Sequence, residues 1–293
     1  MRANLIWEFK ADSGIAFGEA WSPAGDQLAI AGLGGGLQVW NVETGQQRFS
    51  VQPGLISCVA WSPDGRHLVV GSSAAEVLVF DSSSGTLLLR GLGHTDEVRS
   101  VNYSLDGRHI ASGANDGTVR IWTSADLSLV VGIPAHGTLV RSVSWSPVAR
   151  SVASGGNDGT VRVWDADTGA PQGGLADHKH FVTKVAYSPD GRLLASASLD
   201  STVRIWDLYA RKYLRVLDDF EQWWVESLSF SPDGQCLATI DQNGTIRVWS
   251  LDKLAPVSTF LAGAMNKTVN WSPAGRHLAS GGYAAEQIWA LID

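Results

Sequence analysis

Residues 145–165 read WSPVARSVASGGNDGTVRVWD. An apolar run closes in Trp145 and a Ser-Pro turn follows. A second run leads to the tight turn Asn157-Asp158-Gly159, and a third ends in Trp164-Asp165. The same pattern recurs along the whole chain. Its first aromatic is Trp21, Trp61, Tyr103, Trp145, Tyr187, Phe230 or Trp271, spaced 40 to 43 residues apart, and each is followed by a turn such as SPDG or SPAG. Its second aromatic is Trp40, Phe80, Trp122, Trp164, Trp206, Trp249 or Trp289, 19 residues after the first except in the last unit, where it is 18. Seven units fit and none is left over, so the chain is a repeat protein.

The turns set the fold class. In Ser-Pro-Asp-Gly the proline presets φ, the aspartate bonds back to nearby amides and the glycine takes the positive φ that closes the turn. Asn-Asp-Gly at 115–117 and 157–159 does the same between second and third strands. Between the turns lie short β-branched and aromatic runs such as VRSVNY and TVRIW, with no helical period, which predicts an all-β chain. The 293 residues are 44% apolar and 17% charged, enough for a sizeable core. A net charge of −7 argues against a general nucleic-acid or anionic-membrane surface. No apolar run approaches the roughly 18 residues of a spanning helix, and MRANLIWEFK lacks the form of a signal peptide. Two scattered cysteines, Cys58 and Cys236, predict free thiols and a cytoplasmic protein.

These residues resemble the WD-repeat β-propeller family over essentially the whole chain. The resemblance implies seven four-stranded antiparallel blades around a channel, each repeat supplying three strands and the next segment the outer one. QQRFSV, TLLLRGL, LSLVVGI, APQGGLA, YLRVLDD and APVSTFLA would be outer strands, which leaves the seventh blade one short. Residues 4–9, NLIWEF, would complete it and close the ring, with Trp7 packed on that strand. Residues 1–293 are then expected to be a single propeller with no appended domain.

The resemblance also implies a structural hydrogen-bonded tetrad in repeats 3 to 5: His94, Ser112, Asp116 and Trp122; His136, Ser154, Asp158 and Trp164; His178, Ser196, Asp200 and Trp206. A Ser-His-Asp set invites a catalytic reading. Threefold recurrence with a tryptophan donor argues for structure instead. In repeats 1, 2, 6 and 7 the histidine position holds Asp12, Gln52, Glu221 and Ala262, and the turn-aspartate position Gly34, Ala74, Asn243 and Tyr283, although Thr239 and Trp249 survive in repeat 6. Blades 3 to 5 are therefore expected to be the rigid arc. His67, His109 and His277 follow an arginine in G-R-H and are expected to be solvated strand starts. No zinc pattern, Walker motif or Gly-x-Gly-x-x-Gly frame appears, so no metal, cofactor or catalytic residue is expected.

The face bearing the loops before the first strands is where the family binds peptides and proteins. Three residues past the histidine position the chain has Leu139, Phe181 and Trp224; five past, at the channel mouth, it has Arg99, Arg141, Glu226 and Lys267. His180, Leu199 and Trp223 join them. Ten of the 13 tryptophans occupy the two repeated aromatic positions, which singles out Trp223 and Trp224 beside Trp7. Tryptophan and arginine dominate protein interfaces. The expectation is a non-enzymatic scaffold, a monomeric propeller within a larger assembly, binding a protein or peptide rather than nucleic acid or membrane. A small-molecule sensor at the channel mouth is the alternative.

Overall fold

A computed structural model describes residues 2–9, 15–32, 36–176, 178–210, 212–263, 266–282 and 286–292. Asp12, Gly34 and Tyr283, named above as departures from the tetrad, lie outside the described residues. The repeat period becomes seven four-stranded antiparallel sheets, and in six of them the strands run in chain order from the channel outward. Blade 1, for example, consists of Ala16–Trp21, Gln27–Gly32, Gly36–Asn41 and Gln47–Val51. The six expected outer segments all form fourth strands.

The Ser-Pro-Asp-Gly turns work through their serine as well as their glycine. In blade 2 Ser62 Oγ donates to Asp64 at 2.6 Å and accepts from the His67 N–H at 2.9 Å, while Gly65 takes φ +73°. Asp64 also accepts from the Arg66 N–H at 3.1 Å, so side-chain bonds hold the corner from Ser62 to His67.

Blade 7 combines Asn266–Trp271, His277–Gly282 and Glu286–Ile292 with Arg2–Phe9, two residues longer than the expected closing segment. Arg2–Phe9 pairs antiparallel with Glu286–Ile292 from Arg2↔Ile292 to Phe9↔Glu286, and this pairing closes the ring. Trp7 is exposed on one side, but its ring lies against the turn glycine Gly45 of blade 1, where a Cβ would come within 2.9 Å of it. Phe49, on the outer strand of blade 1, covers Gly85 of blade 2 in the same way. The closing strand thus repeats an outer-strand contact made elsewhere in the ring.

Adjacent blades meet through one recurring apolar pair, a third-strand residue against a first-strand residue of the next blade. Leu37 clusters with Val59, Val77 with Val101, Val119 with Val143, Val161 with Val185, Val203 with Leu228, and Ile246 with Val269. At the seventh seam the equivalent residues are Glu286 and Glu19, both buried. Their carboxyls hydrogen-bond to each other. Glu19 accepts from Thr268 Oγ1 at 2.7 Å and is reached by Asn270 Nδ2 at 3.4 Å, whereas Glu286 meets no N–H or O–H donor among the described residues. The carboxyl–carboxyl bond therefore needs a proton on one of the two, and burial followed by the charge of Glu19 pushes Glu286 well above the usual carboxylate range.

Two of the three G-R-H histidines, His109 and His277, are not solvated strand starts. His109 tilts against Trp145 of the next blade with ring centroids 6.1 Å apart, and His277 stacks on Trp21 of blade 1 at 6.4 Å and 20°. Strand twist carries each start under the neighbouring tryptophan, and burial lowers the pKa of both imidazoles.

The glutamate seam makes stability depend on pH. A carboxyl whose folded-state pKa lies above its unfolded value favours folding below the unfolded value, here about 4.5, and loses that contribution as pH rises through the folded value. Stability should fall from pH 5 toward pH 9 by about 1.4 kcal/mol per pKa unit separating the two states. Glu286→Gln should flatten this slope, and the double change Glu19→Val with Glu286→Val, which copies the other six seams, should raise Tm at pH 8. Urea denaturation at three pH values reads the slope, and thermal unfolding at pH 8 reads the rise in Tm.

Candidate functional site

Each first strand breaks register at the same place, between Ala16 and Gly18, Ile56 and Cys58, Val98 and Ser100, Val140 and Ser142, Val182 and Lys184, Val225 and Ser227, and Asn266 and Thr268. The residue left over is a β-bulge, which bends the strand and re-aims a side chain. The seven bulge residues are Phe17, Ser57, Arg99, Arg141, Thr183, Glu226 and Lys267, and all of them line the central channel. The geometry thus explains why these positions, one per blade, form a ring.

The loops leading into blades 3 to 5 are pinned from below. His94 Nδ1 donates to Asp116 at 2.9 Å and its Nε2 accepts from Ser112 Oγ at 2.7 Å. His136 makes the same bonds to Asp158 and Ser154 at 2.9 and 2.8 Å, and His178 to Asp200 and Ser196 at 2.9 and 2.6 Å. Trp122 Nε1 donates to Ser112 at 2.8 Å and Trp164 Nε1 to Ser154 at 2.9 Å; Trp206 meets His178 edge to face, centroids 6.4 Å apart. Burial lowers the pKa of His94 and His136, which suits a neutral ring with its proton on Nδ1. Burial alone would raise Asp116 and Asp158, but hydrogen bonds hold both below the usual carboxylate range. Three of those donors were missed in the sequence: Thr118, Thr160 and Thr202 give their hydroxyls to the three aspartates at 2.7, 2.7 and 2.6 Å. Their signal was a threonine two residues after each turn aspartate.

Blade 6 uses a different device. Trp249 Nε1 donates to Thr239 at 2.9 Å, but the histidine slot is filled by Phe220, not by the Glu221 expected there. This repeat is one residue longer, and the surplus is absorbed at Glu221 and Gln222, with φ of 50° and 71°. Phe220, fully buried, lies 5.6 Å from Trp249 and beneath the Arg247 guanidinium at 5.2 Å. Arg247 in turn pairs with buried Asp241 at 2.5 Å. In blade 7 Trp289 Nε1 donates to Ser280 at 3.1 Å.

Above these supports the expected residues separate into two groups. Arg141 lies over the ring of Phe181 at 5.1 Å, with its Nε bonded to Asn157, and His180 tilts against Phe181 at 4.4 Å. Leu199 joins them through its N–H to the Phe181 carbonyl at 3.0 Å, and Leu139 is half-buried at the matching place on blade 4. Arg99 bonds Asn115 at 3.1 Å and Glu97 at 3.2 Å, so blades 3 and 4 each fix an arginine with an asparagine 16 residues on. Burial, then repulsion from Arg99, lowers the pKa of Arg141; burial raises that of Glu226, against the pull of Lys267 and Arg141. On the neighbouring blade Trp223 and Trp224 are 42% and 43% exposed, so neither is taken up by the seam. Among the described residues no group of three or more His, Cys, Asp or Glu is placed to hold a metal ion.

Residues 97–223 match the family described as WDR90, 4th beta-propeller, and residues 46–81 and 211–250 match the WD domain, G-beta repeat. The chain belongs to the WD-repeat propeller family. Among curated proteins, this WD-repeat chain is 37% identical over 87 residues to cell division cycle 20.1 of Arabidopsis thaliana, described as a cofactor of the APC complex; the match covers 28% of this chain and 18% of that protein. It is 39% identical over 64 residues to meiotic fizzy-related protein 2 of Schizosaccharomyces pombe, covering 21% of this chain and 13% of the other. The matched region spans less than a fifth of either relative.

The two kinds of blade support differ in what their loss costs. Asp158→Ala leaves a neutral His136 short of one hydrogen bond and should cost the WD-repeat fold about 1–3 kcal/mol. Asp241→Ala leaves the Arg247 charge buried and unpaired and should cost about 3–5 kcal/mol. Urea denaturation of the two variants ranks them, and amide exchange should quicken locally in blade 4 and blade 6 respectively.

Proposed function

We propose that this WD-repeat propeller is a non-enzymatic scaffold that captures a protein or peptide segment on the loop-bearing face of blades 3 to 6. The observation that carries this reading is the exposed pair Trp223 and Trp224 one blade away from the Arg141–Phe181 stack. Large aromatics held at a surface by a rigid support bury much area at small entropic cost, and with arginine they are the usual centres of binding energy. Leu139, His180 and Leu199 would complete an apolar floor, while Arg99, Glu226 and Lys267 at the channel mouth would meet charged or backbone groups. The segment recognised would therefore carry bulky apolar side chains beside an acidic or carbonyl-rich stretch.

The likeness to a protein described as a cofactor of the APC complex supports work inside a multiprotein assembly. The net charge of −7 supports a protein rather than a nucleic-acid partner. Cytoplasmic residence belongs to the same proposal, supported by free Cys58 and Cys236, neither of them in a disulfide.

The test is affinity purification from native lysate with the full chain beside a Trp223→Ala/Trp224→Ala/Arg141→Glu variant of verified fold. A partner held by the first should be lost from the second, with affinity reduced by about 30-fold or more, the loss expected for a central aromatic anchor. Partners held equally by both would place binding on another face.

A further inference from the structure

One residue inside the channel breaks the pattern of its ring. The position just after each bulge is occupied by Gly18, Cys58, Ser100, Ser142, Ser227 or Thr268 in six blades, all small, and by Lys184 in blade 5. Small residues are required there where the inner strands crowd together: Ser100 and Ser142 each use the hydroxyl to accept an N–H of the next blade, from Val143 at 3.0 Å and Val185 at 3.1 Å. Lys184 instead sends a long cationic chain into the channel, where it is half-buried. Among the described residues its ammonium has no hydrogen-bond or ion-pair partner. The carboxylate whose charge reaches it is Glu19, already held by Thr268 and Asn270 and bonded to Glu286. Drawing an ammonium even partly out of water without a partner is costly, and a position that tolerates it against six small equivalents calls for a compensating group.

The rest of the lining has the same sign. The channel cavity, of about 140 Å³, is lined by four cations, Arg99, Arg141, Lys184 and Lys267, against two carboxylates, Glu19 and Glu226. Arg99 and Arg141 stand close enough to repel each other. At about 30 Å³ per water, such a cavity holds four or five water molecules, or one tetrahedral oxyanion.

We propose that the channel is a binding site for a small tetrahedral oxyanion, phosphate or sulfate in size and charge, with Lys184 as its deep ligand and Arg141 and Lys267 as its upper ones. This site lies below the loop-bearing face; it shares Arg141 and Lys267 with the proposed partner surface, and Lys184 belongs to it alone. An occupying anion would bridge blades 4, 5 and 7 across the axis and tie together inner strands that otherwise touch only their neighbours. A nucleotide is too large for it, which separates this ligand from the phosphate sites of glycine-rich loops.

Titration of the full chain with inorganic phosphate at constant ionic strength, by calorimetry and by Tm, tests the proposal. One phosphate per chain and a saturable rise in Tm are expected, with sulfate able to substitute and ATP unable to. Lys184→Met should weaken phosphate binding about tenfold or more, the loss of one charge-assisted hydrogen bond. Because that variant alters a packed strand, the ¹³Cε resonance of Lys184 in the unaltered protein provides a second reading, and phosphate should move its titration to higher pH. No saturable phosphate or sulfate binding, a response that follows ionic strength whichever salt is used, or a Lys184 resonance blind to phosphate would overturn the site.

Discussion

Closure is the constraint on which the molecule depends. Each blade ends at the channel in a strand with one unpaired edge, and those backbone groups need partners. The preceding blade supplies many of them: Ser100, Asn102, Ser142 and Ser144 accept N–H groups of Val143, Trp145, Val185 and Tyr187. Trp21 and Trp61 add indole N–H bonds to carbonyls of Asn270 and Ala20. Six of the seven seams therefore centre on an apolar pair, the seventh on Glu286 and Glu19, and bonds from side chain to backbone run beside them. The seam has one geometry because seven copies of it must add up to a full turn.

That demand also builds the site. A bulge at the head of each inner strand bends it to follow the ring, and the same bulge turns one side chain per blade toward the axis. Architecture thus fixes seven positions and leaves their identity open. The ring becomes particular to this chain where the residues at those positions, or their neighbours, depart from small or neutral ones: Arg99, Arg141, Lys184, Glu226 and Lys267 around the channel, Trp223 and Trp224 above it.

Seven repeats and an all-β chain were legible from the spacing of the aromatics and the turn residues, because those depend on local chemistry repeated seven times; strand order and the donated closing strand followed from the resemblance to WD-repeat propellers. The tetrads of blades 3 to 5 were legible as residue types, though not the threonines that complete them. What escaped was whatever one repeat does alone. Phe220 takes a histidine's place because an inserted residue shifts the loop by one, and counting from Phe230 lands on Glu221. His109 and His277 looked solvated because their tryptophan partners belong to the neighbouring blade, which for His277 is at the other end of the chain. Glu19 and Glu286 drew no notice singly; only superposition of all seven repeats shows each standing where six others have valine, leucine or isoleucine.

The donated strand has a consequence for how the molecule is made. Six blades use strands that follow one another in the chain, so each has local contacts to fold around as it leaves the ribosome. The seventh joins Arg2–Phe9 to Glu286–Ile292, partners separated by nearly the whole length of the chain. Its contact order is far above that of the rest, and its loop entropy must be met after the other blades have formed. Until then Arg2–Phe9 waits as an unpaired strand with the apolar side chains of Leu5, Ile6 and Trp7 uncovered.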